Sequence, residues 1–382
     1  MRRKGIVIVT TLIYLVSFSL VEVVAEVQYK GDLWNLLNYF RIRRAVVKYK
    51  EIEREGGWPI LPYNILLKKG DISNEVQLLK RRLNITGDLD YNDGTNLFDE
   101  NLEEALRNYQ KRNGLSIDGI MGPATINELN IPVSRRINQL EQNMKEIFNL
   151  FDEYLDRYIF INIPAYQLKV IDNGDDVLEM KVIVGKKSNQ TPVFSEQIEY
   201  LVINPTWRIP LKKVVRDIIP MIKENPNYLK YKNIRVFESW EEDARELEPE
   251  NINWDKYTLA NINLMLEQES GPGNELGQVK FMFPNDYLVY IHDTPHIELF
   301  DHRNRAFSSG CIRVAKPLEL ASYCLKDMEG WNYERIIDII NTGEQTQVNL
   351  VDPIPVVIAY LTAWVDQENN VNFRKDIYEL HN

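Results

Sequence analysis

The chain has 382 residues, of which 44% are hydrophobic and 26% are charged. This composition is typical of a folded protein with two or three domains and excludes a disordered chain. Its formal net charge of -11 opposes phosphate backbones, and no basic stripe interleaved with aromatic residues compensates for it, so we expect no nucleic-acid partner.

The N-terminal segment has the pattern of an export signal. Basic residues at positions 2–4 precede an uncharged apolar stretch from Gly5 to Val21, and small residues follow up to Ala25. We predict a signal peptide over residues 1–25. An uncleaved anchor helix is the alternative, because about 17 apolar residues are near the minimum for spanning a bilayer. In either case we expect the rest of the chain to be exported, to the periplasm or cell envelope.

The next region is predicted to be helical. Residues 26–63 mix apolar and basic residues at helical spacing and form a helical lead-in, and residues 64–131 form a compact three-helix module. The second of its helices ends at Gly114 and the third spans residues 123–129. The apolar positions that define the first two helices are Val76, Leu79, Leu83, Leu102, Leu106 and Tyr109.

A longer linker helix is predicted over residues 132–156, with Ser134 as its N-cap. Its apolar face consists of Ile137, Leu140, Met144, Ile147 and Phe151. Beyond this helix the period of the pattern changes.

A mainly-β domain is predicted over residues 157–345, because β-branched and aromatic runs alternate there with turn residues. Asn173 and Gly174 between two such runs predict a hairpin turn. Residues 211–267 are charged and helix-prone, which predicts an inserted helical subdomain that either acts as a lid or is only a solvated insertion. Residues 346–382 are expected to form a tail packed on this domain.

The candidate chemistry lies around Cys311. Three of the four histidines precede it within 20 residues, and a thiol needs a nearby base or cation to form a thiolate at neutral pH. His292 and Cys311 are therefore the pair to test. The four histidines are His292, His296, His302 and His381.

The second cysteine, Cys324, is expected to be a core residue, because apolar residues recur around it at helical spacing after Pro317. The alternative is a disulfide between Cys311 and Cys324.

The residues next to Cys311 suggest acyl-transfer chemistry. Gly310 allows close approach of the backbone, and the amides of Gly310 and Cys311 are candidate donors to an oxyanion. Arg313 could hold a substrate carboxylate. The alternative is a zinc site formed by the histidines and the cysteine. Neither HExxH nor CxxC occurs, however, and a closed zinc site needs four ligands, so we expect no metal site. We predict instead that His296 and His302 lie at the surface.

Two stretches resemble known families. YIHDTPHIELFDHRNRAFSSGCIRVAKPLELA is similar to the signature of L,D-transpeptidases with a YkuD-type catalytic domain, in which a histidine precedes a Ser/Thr-His-Gly-Cys core, an apolar residue and Asn or Arg. GLSIDGIMGPATINEL resembles the repeat of peptidoglycan-binding domains. Further resemblance to the larger periplasmic type of L,D-transpeptidase, which carries a substrate-capping insertion, lies in GGWPILP, VGKKSNQTPVF, INPTWRIP, SGPGNELGQVKFMFPN and IPVVIAYLTAWVD.

The resemblance implies an α+β multidomain fold, with a three-helix peptidoglycan-binding module, a mainly-β catalytic domain and a helical capping subdomain. It implies that Cys311 is the nucleophile, His292 the base and the Asp293 backbone carbonyl the group that orients the imidazole. It also implies that Tyr290 lines the site. Ser309 departs from the pattern, since the family usually has a second histidine there, although a serine hydroxyl still offers a donor to substrate.

The implied reaction joins peptidoglycan stem peptides. The nucleophile attacks a tetrapeptide donor, D-Ala leaves a thioester acyl-enzyme, and a diamino-acid amine of an acceptor stem then forms a 3-3 cross-link. No metal or organic cofactor is implied, and carbapenems are expected to acylate the same cysteine. The alternatives are an L,D-carboxypeptidase, attachment of a protein lysine to the wall by the same chemistry, and a non-catalytic peptidoglycan-binding scaffold.

Overall fold

The computed structural model describes residues 33–148, 150 and 155–381. The predicted signal peptide or anchor over residues 1–25 lies outside this part of the chain. Among the described residues, no helix combines the length and the apolar character needed to cross a membrane.

The N-terminal part of the chain is helical, as the apolar spacing predicted. Three of its helices enclose a core of their own that includes Val76, Leu79, Leu106 and Tyr109, all nearly inaccessible to solvent. The Asp99 side chain caps one of them by accepting from the Leu102 N–H at 2.8 Å. The helices are α1 (Leu33–Arg54), α2 (Asn74–Thr86), α3 (Glu100–Arg112), α4 (Pro123–Leu129) and α5 (Val133–Phe148).

Two details predicted for α5 are wrong. Ser134 is not the N-cap but lies inside the first turn, because the helix starts directly after Pro132, whose carbonyl accepts from the Arg136 N–H at 3.3 Å. The helix ends at Phe148 and was predicted to reach residue 156, but the described residues 150, 155 and 156 are not helical. The predicted apolar position 151 lies outside the described residues.

The region predicted to be mainly β forms a nine-stranded sheet in the order β11-β3-β12-β10-β9-β4-β13-β1-β2, and an additional pairing of β2 with β3 closes it into a barrel. Buried aliphatic residues from most of these strands form its core. The strands are β1 (Arg157–Asn162), β2 (Gln167–Asp172), β3 (Asp175–Gly185), β4 (Phe194–Ile203), β9 (Val279–Met282), β10 (Ile291–His292), β11 (Ala306–Ser308), β12 (Ile312–Val314) and β13 (Thr346–Ala359).

The turn between β2 and β3 is the predicted hairpin. Asn173 and Gly174 both have positive φ angles, 52° and 88°, as a two-residue turn of this kind requires.

The C-terminal region differs from the prediction. Residues 346–359 do not pack on the sheet as a tail, because they form β13, which lies inside the sheet between β4 and β1. The residues at the end of β13 are buried in succession because its two faces are both covered: Val356 and Ile358 lie in the barrel core, whereas Val357 and Ala359 pack in other apolar clusters. Two short strands, β14 (Ala363–Val365) and β15 (Val371–Phe373), follow and share a second core with α1 and α5.

The insertion is a mixed subdomain and not a purely helical one. Four short strands form a sheet of their own in the order β5-β8-β6-β7 beside the helices, and the subdomain has its own apolar core. The sequence pattern missed the strands because they are two to four residues long. The elements are β5 (Trp207–Arg208), α6 (Leu211–Lys213), a π-helical turn (Val214–Ile218), α7 (Ile219–Glu224), α8 (Tyr228–Tyr231), β6 (Ile234–Phe237), β7 (Glu246–Leu247) and β8 (Met265–Gln268).

Two helices complete the barrel domain, α9 (Pro317–Cys324) and α10 (Tyr333–Thr342). Cys324, at the end of α9, is buried in the barrel core as predicted. Both cysteines are free, so the disulfide alternative is wrong.

Candidate active site

Strand register brings the candidate residues together. In β10, His292 pairs with Arg313 of β12 on one side and with Lys280 of β9 on the other. Cys311 directly precedes β12 and lies beside Tyr290, since the next residue, Ile312, donates its N–H to the Tyr290 carbonyl at 3.0 Å.

Side chains alternate between the two faces of a sheet. The Tyr290, His292, Cys311 and Arg313 side chains therefore project from the same face. In the sequence these residues are up to 23 positions apart, and only strand pairing makes them neighbours.

The loop before the cysteine is held by short side chains. Gly310 has a φ of +121°, a conformation that residues with a Cβ rarely adopt. The buried Ser308 hydroxyl accepts from the Gly310 N–H at 3.1 Å and donates to the Cys311 carbonyl at 2.6 Å. The Thr191 hydroxyl donates to the Gly310 carbonyl at 2.7 Å. Cys311 is thus carried on a rigid turn.

This geometry corrects one expectation. The Gly310 amide was expected to donate to an oxyanion, but it already donates to Ser308 within the turn. The Cys311 amide, in contrast, has no acceptor within the described part of the chain. It is therefore the better candidate donor of the two.

The Cys311 thiol is only partly exposed, and its Sγ lies 4.0 Å from the Leu288 carbonyl oxygen. Burial raises its pKa above the ordinary value, while hydrogen bonding from Tyr290 and the positive charges of Lys280 and Arg313 act in the opposite direction. Forming the thiolate therefore needs help from these neighbours or from a base.

The His292 imidazole is buried, with 4% of its surface exposed, and its Nδ1 lies 2.5 Å from the Asp293 carbonyl oxygen. Burial, followed by the charge of Arg313, lowers its pKa to about 3. The ring is consequently neutral at physiological pH, and the same burial makes it a weaker base than an exposed imidazole. Among the hydrogen bonds of the described residues, none joins His292 to Cys311 directly, and the Tyr290 ring lies beside the imidazole with centroids 5.5 Å apart.

The Asp293 carboxylate holds the strand end that carries this carbonyl. It accepts from the backbone N–H groups of Thr294 at 2.7 Å and Gln278 at 2.8 Å. Gly277 packs against it so closely that a Cβ there would lie 2.3 Å from the carboxylate carbon. The orientation of the imidazole is thus fixed by the packing of two adjacent strands.

Arg313 is a partly buried cation with no ion-pair partner in the described part of the chain. Its buried Nε has no hydrogen-bond acceptor, and the guanidinium forms no ion pair with any described residue. Burial lowers its pKa, and the charge of Glu275 opposes this effect. An unsatisfied guanidinium beside a nucleophile is suited to bind an anionic group of a substrate. Ser309, the departure from the family pattern, is exposed at the rim of the site.

Sequence reasoning missed Lys280 and Trp207. In β9 the partly exposed Lys280 lies between the buried Val279 and Phe281, so its position on the site face could have been found once β9 was paired with β10. Trp207 enters from β5 of the insertion and reaches the Tyr290 hydroxyl, which gave no signal in the local sequence.

The remaining histidines lie outside the cluster. His302 is exposed, as expected. His296 is only partly exposed, with its Nε2 3.3 Å from the Glu275 carboxylate, which also pairs with Lys232 of the insertion at 3.8 Å. In the described part of the chain, no group of three His, Cys, Asp or Glu residues has the arrangement of a metal site.

Sequence comparison identifies the family. The profile of the L,D-transpeptidase (YkuD) catalytic domain matches residues 156–357, more than half of the chain. The protein belongs to this family. A second profile, described as "Putative peptidoglycan binding domain", matches residues 73–129, which include α2, α3 and α4.

A curated relative from Haemophilus influenzae, named "Putative L,D-transpeptidase", is 36% identical over 220 residues. The match covers 58% of this chain but only 44% of that relative, so the chain matches less than half the length of the relative.

Solved structures of L,D-transpeptidases are also similar at a low level. One from Stackebrandtia nassauensis has 11% identity and a TM-score of 0.29, covering 77% of this chain and 94% of that one. Another, solved in complex with imipenem, has 13% identity and a TM-score of 0.25, covering 55% of this chain and 61% of that one. The assignment rests on the family profile and not on these scores.

Proposed function

We propose that the protein is an exported L,D-transpeptidase that forms 3-3 cross-links in peptidoglycan through a Cys311 thioester. The observation that carries this proposal is the position of Cys311 on a rigid turn, on the same sheet face as a buried neutral imidazole and an unpaired guanidinium. The first group is a nucleophile, the second a base and the third an anion receptor.

In the first half-reaction, the Cys311 sulfur attacks the carbonyl between the third residue and D-Ala of a tetrapeptide donor. His292 accepts the thiol proton, and the Cys311 amide donates to the developing oxyanion. Collapse breaks the peptide bond, and the imidazolium returns the proton to the departing D-Ala amine. A thioester remains.

In the second half-reaction, a diamino-acid amine of an acceptor stem attacks the thioester carbonyl. His292 now removes the proton from the amine, the thiolate leaves, and the imidazolium returns the proton to the sulfur, which regenerates the thiol. No cofactor enters either step. Arg313 is positioned to bind the carboxylate of a stem peptide, and Tyr290 and Ser309 line the place where it lies. Tethering by the peptidoglycan-binding module raises the local concentration of substrate.

The alternatives differ in the acceptor or in the absence of chemistry. Water as acceptor makes an L,D-carboxypeptidase, and a protein lysine makes a wall-attachment enzyme. A scaffold without catalysis is favoured only by Ser309, whereas the intact arrangement of Cys311 and His292 favours an enzyme.

The test is intact-protein mass spectrometry after incubation with a tetrapeptide-bearing muropeptide or with a carbapenem. We expect an adduct on the parent protein and on Cys324→Ala, but none on Cys311→Ala. Product analysis then separates cross-linked, hydrolysed and lysine-linked products. A folded, reduced parent protein that reacts with neither reagent would refute the enzymatic proposal and favour the scaffold.

A further inference from the structure

We infer that Lys280 is a positioning residue whose ammonium group stabilises the Cys311 thiolate, both directly by its charge and by polarising the Tyr290 side chain. This inference rests on the proposed function and adds to it a residue outside the family signature. It adds a second source of thiolate stabilisation to His292, which is not hydrogen-bonded to the thiol in this structure.

The position of Lys280 follows from strand register. It is the direct cross-strand partner of His292, so its side chain projects from the face that carries Cys311. Its Nζ lies 4.0 Å from the centroid of the Tyr290 ring, within the range of a cation–π interaction. Tyr290 in turn is the strand neighbour of Cys311, because the next residue, Ile312, donates its N–H to the Tyr290 carbonyl at 3.0 Å, and hydrogen bonding from Tyr290 acts to lower the pKa of the thiol. The three groups form a continuous chain of contacts.

The charge of Lys280 is not neutralised locally. It forms no ion pair with any described residue, although most of the surface lysines around the barrel do, for example Lys169 with Glu179 at 3.7 Å. Burial lowers the pKa of Lys280, and the field of Cys311 raises it. A desolvated cation without a carboxylate costs stability unless an anion appears beside it. The Cys311 thiolate is such an anion.

Other charged and titratable groups also face the sulfur. Arg313 and Tyr290 favour the thiolate, and His292 is neutral at physiological pH. Glu275 acts on Arg313 and is itself paired with Lys232 and His296, and the partly buried Asp293 carboxylate accepts from the Thr294 and Gln278 amides. Removing Lys280 therefore halves the positive charge that acts on the sulfur and leaves the other groups in place.

The experiment is the pH profile of Cys311 alkylation by iodoacetamide in the full-length protein, read by peptide mass spectrometry so that Cys311 and Cys324 are scored separately. The variants are Lys280→Met, Lys280→Arg and a control, Lys316→Met, which removes an exposed lysine on the same domain. We expect the midpoint of the Lys280→Met profile to move up by about one pH unit, which slows alkylation about tenfold at pH 7. Lys280→Arg should restore the profile, and Lys316→Met should leave it unchanged.

Each outcome is informative. An unchanged midpoint in Lys280→Met overturns the inference while leaving the proposed function intact, because Cys311 still reacts. A Lys280→Met protein that has lost the cooperative unfolding transition is replaced by Lys280→Gln, to which the same criterion applies. Failure of the folded, reduced parent protein to form an adduct with either the muropeptide or the carbapenem defeats the proposed function instead, whatever the alkylation profile is.

Discussion

The buried imidazole of His292 makes the stability of the barrel domain depend on pH. Its pKa falls from the ordinary value of 6.5 to about 3 in the folded protein, mainly through burial. Between these two values the unfolded chain binds a proton that the folded chain does not bind. The free energy of unfolding therefore decreases as the pH falls through this window. Above about pH 6.5 the imidazole is neutral in both the folded and the unfolded chain, and His292 no longer makes stability depend on pH.

The magnitude follows from 1.36 kcal/mol per pKa unit. Between pH 7 and pH 4 the parent protein should lose about 3 kcal/mol through His292 alone. His292→Gln removes this term, so its stability should fall less over the same interval. His302→Gln, which replaces an exposed imidazole, should behave like the parent protein.

The assay must report the barrel domain and not the helical module. Cys324 is buried in the barrel core, so its labelling by dithiodipyridine across a urea series, in a Cys311→Ala background, follows the unfolding of this domain. Equal losses of stability between pH 7 and pH 4 in the His292→Gln protein and its parent would refute the reasoning, because the loss would then come from carboxylates elsewhere.

Three further outcomes are expected. Ser308→Ala removes the hydroxyl that bonds both Gly310 and Cys311. Urea denaturation should therefore show that the free energy of unfolding falls by about 2 kcal/mol, and acylation by a carbapenem should slow. Unchanged acylation would show that the turn does not need this support. Arg313→Met should reduce kcat/KM for a tetrapeptide donor about tenfold or more, as expected for the loss of a charge-assisted hydrogen bond, and Arg313→Lys should be intermediate. If muropeptide turnover gives the same kcat/KM for Arg313→Met and the parent protein, Arg313 has no role in binding the carboxylate. Cys324→Ala should destabilise the protein by about 1 kcal/mol through a small cavity yet keep the acylation rate of the parent, as measured by stopped-flow with a carbapenem.

Much of the architecture could be predicted from local sequence. The helices of the peptidoglycan-binding module follow from apolar residues such as Leu79 and Leu106 at helical spacing, and the hairpin from Asn173 and Gly174, because these signals act between residues close in the chain. The histidines that precede Cys311 within 20 residues identified the candidate nucleophile in the same way.

Only the tertiary structure determines the features that depend on strand pairing and backbone geometry, namely the place of β13 in the sheet and the contacts within the site. β13 lies inside the sheet because it pairs with both β1 and β4. These partners come more than 140 residues earlier in the chain, so no local sequence pattern could predict the pairing. The same reason explains why Lys280 was missed, since it reaches the site only through the pairing of β9 with β10. The engagement of the Gly310 amide by Ser308 is likewise a matter of backbone geometry. The residue types of the site are thus set by the sequence, whereas their charges and hydrogen bonds depend on which strands lie side by side.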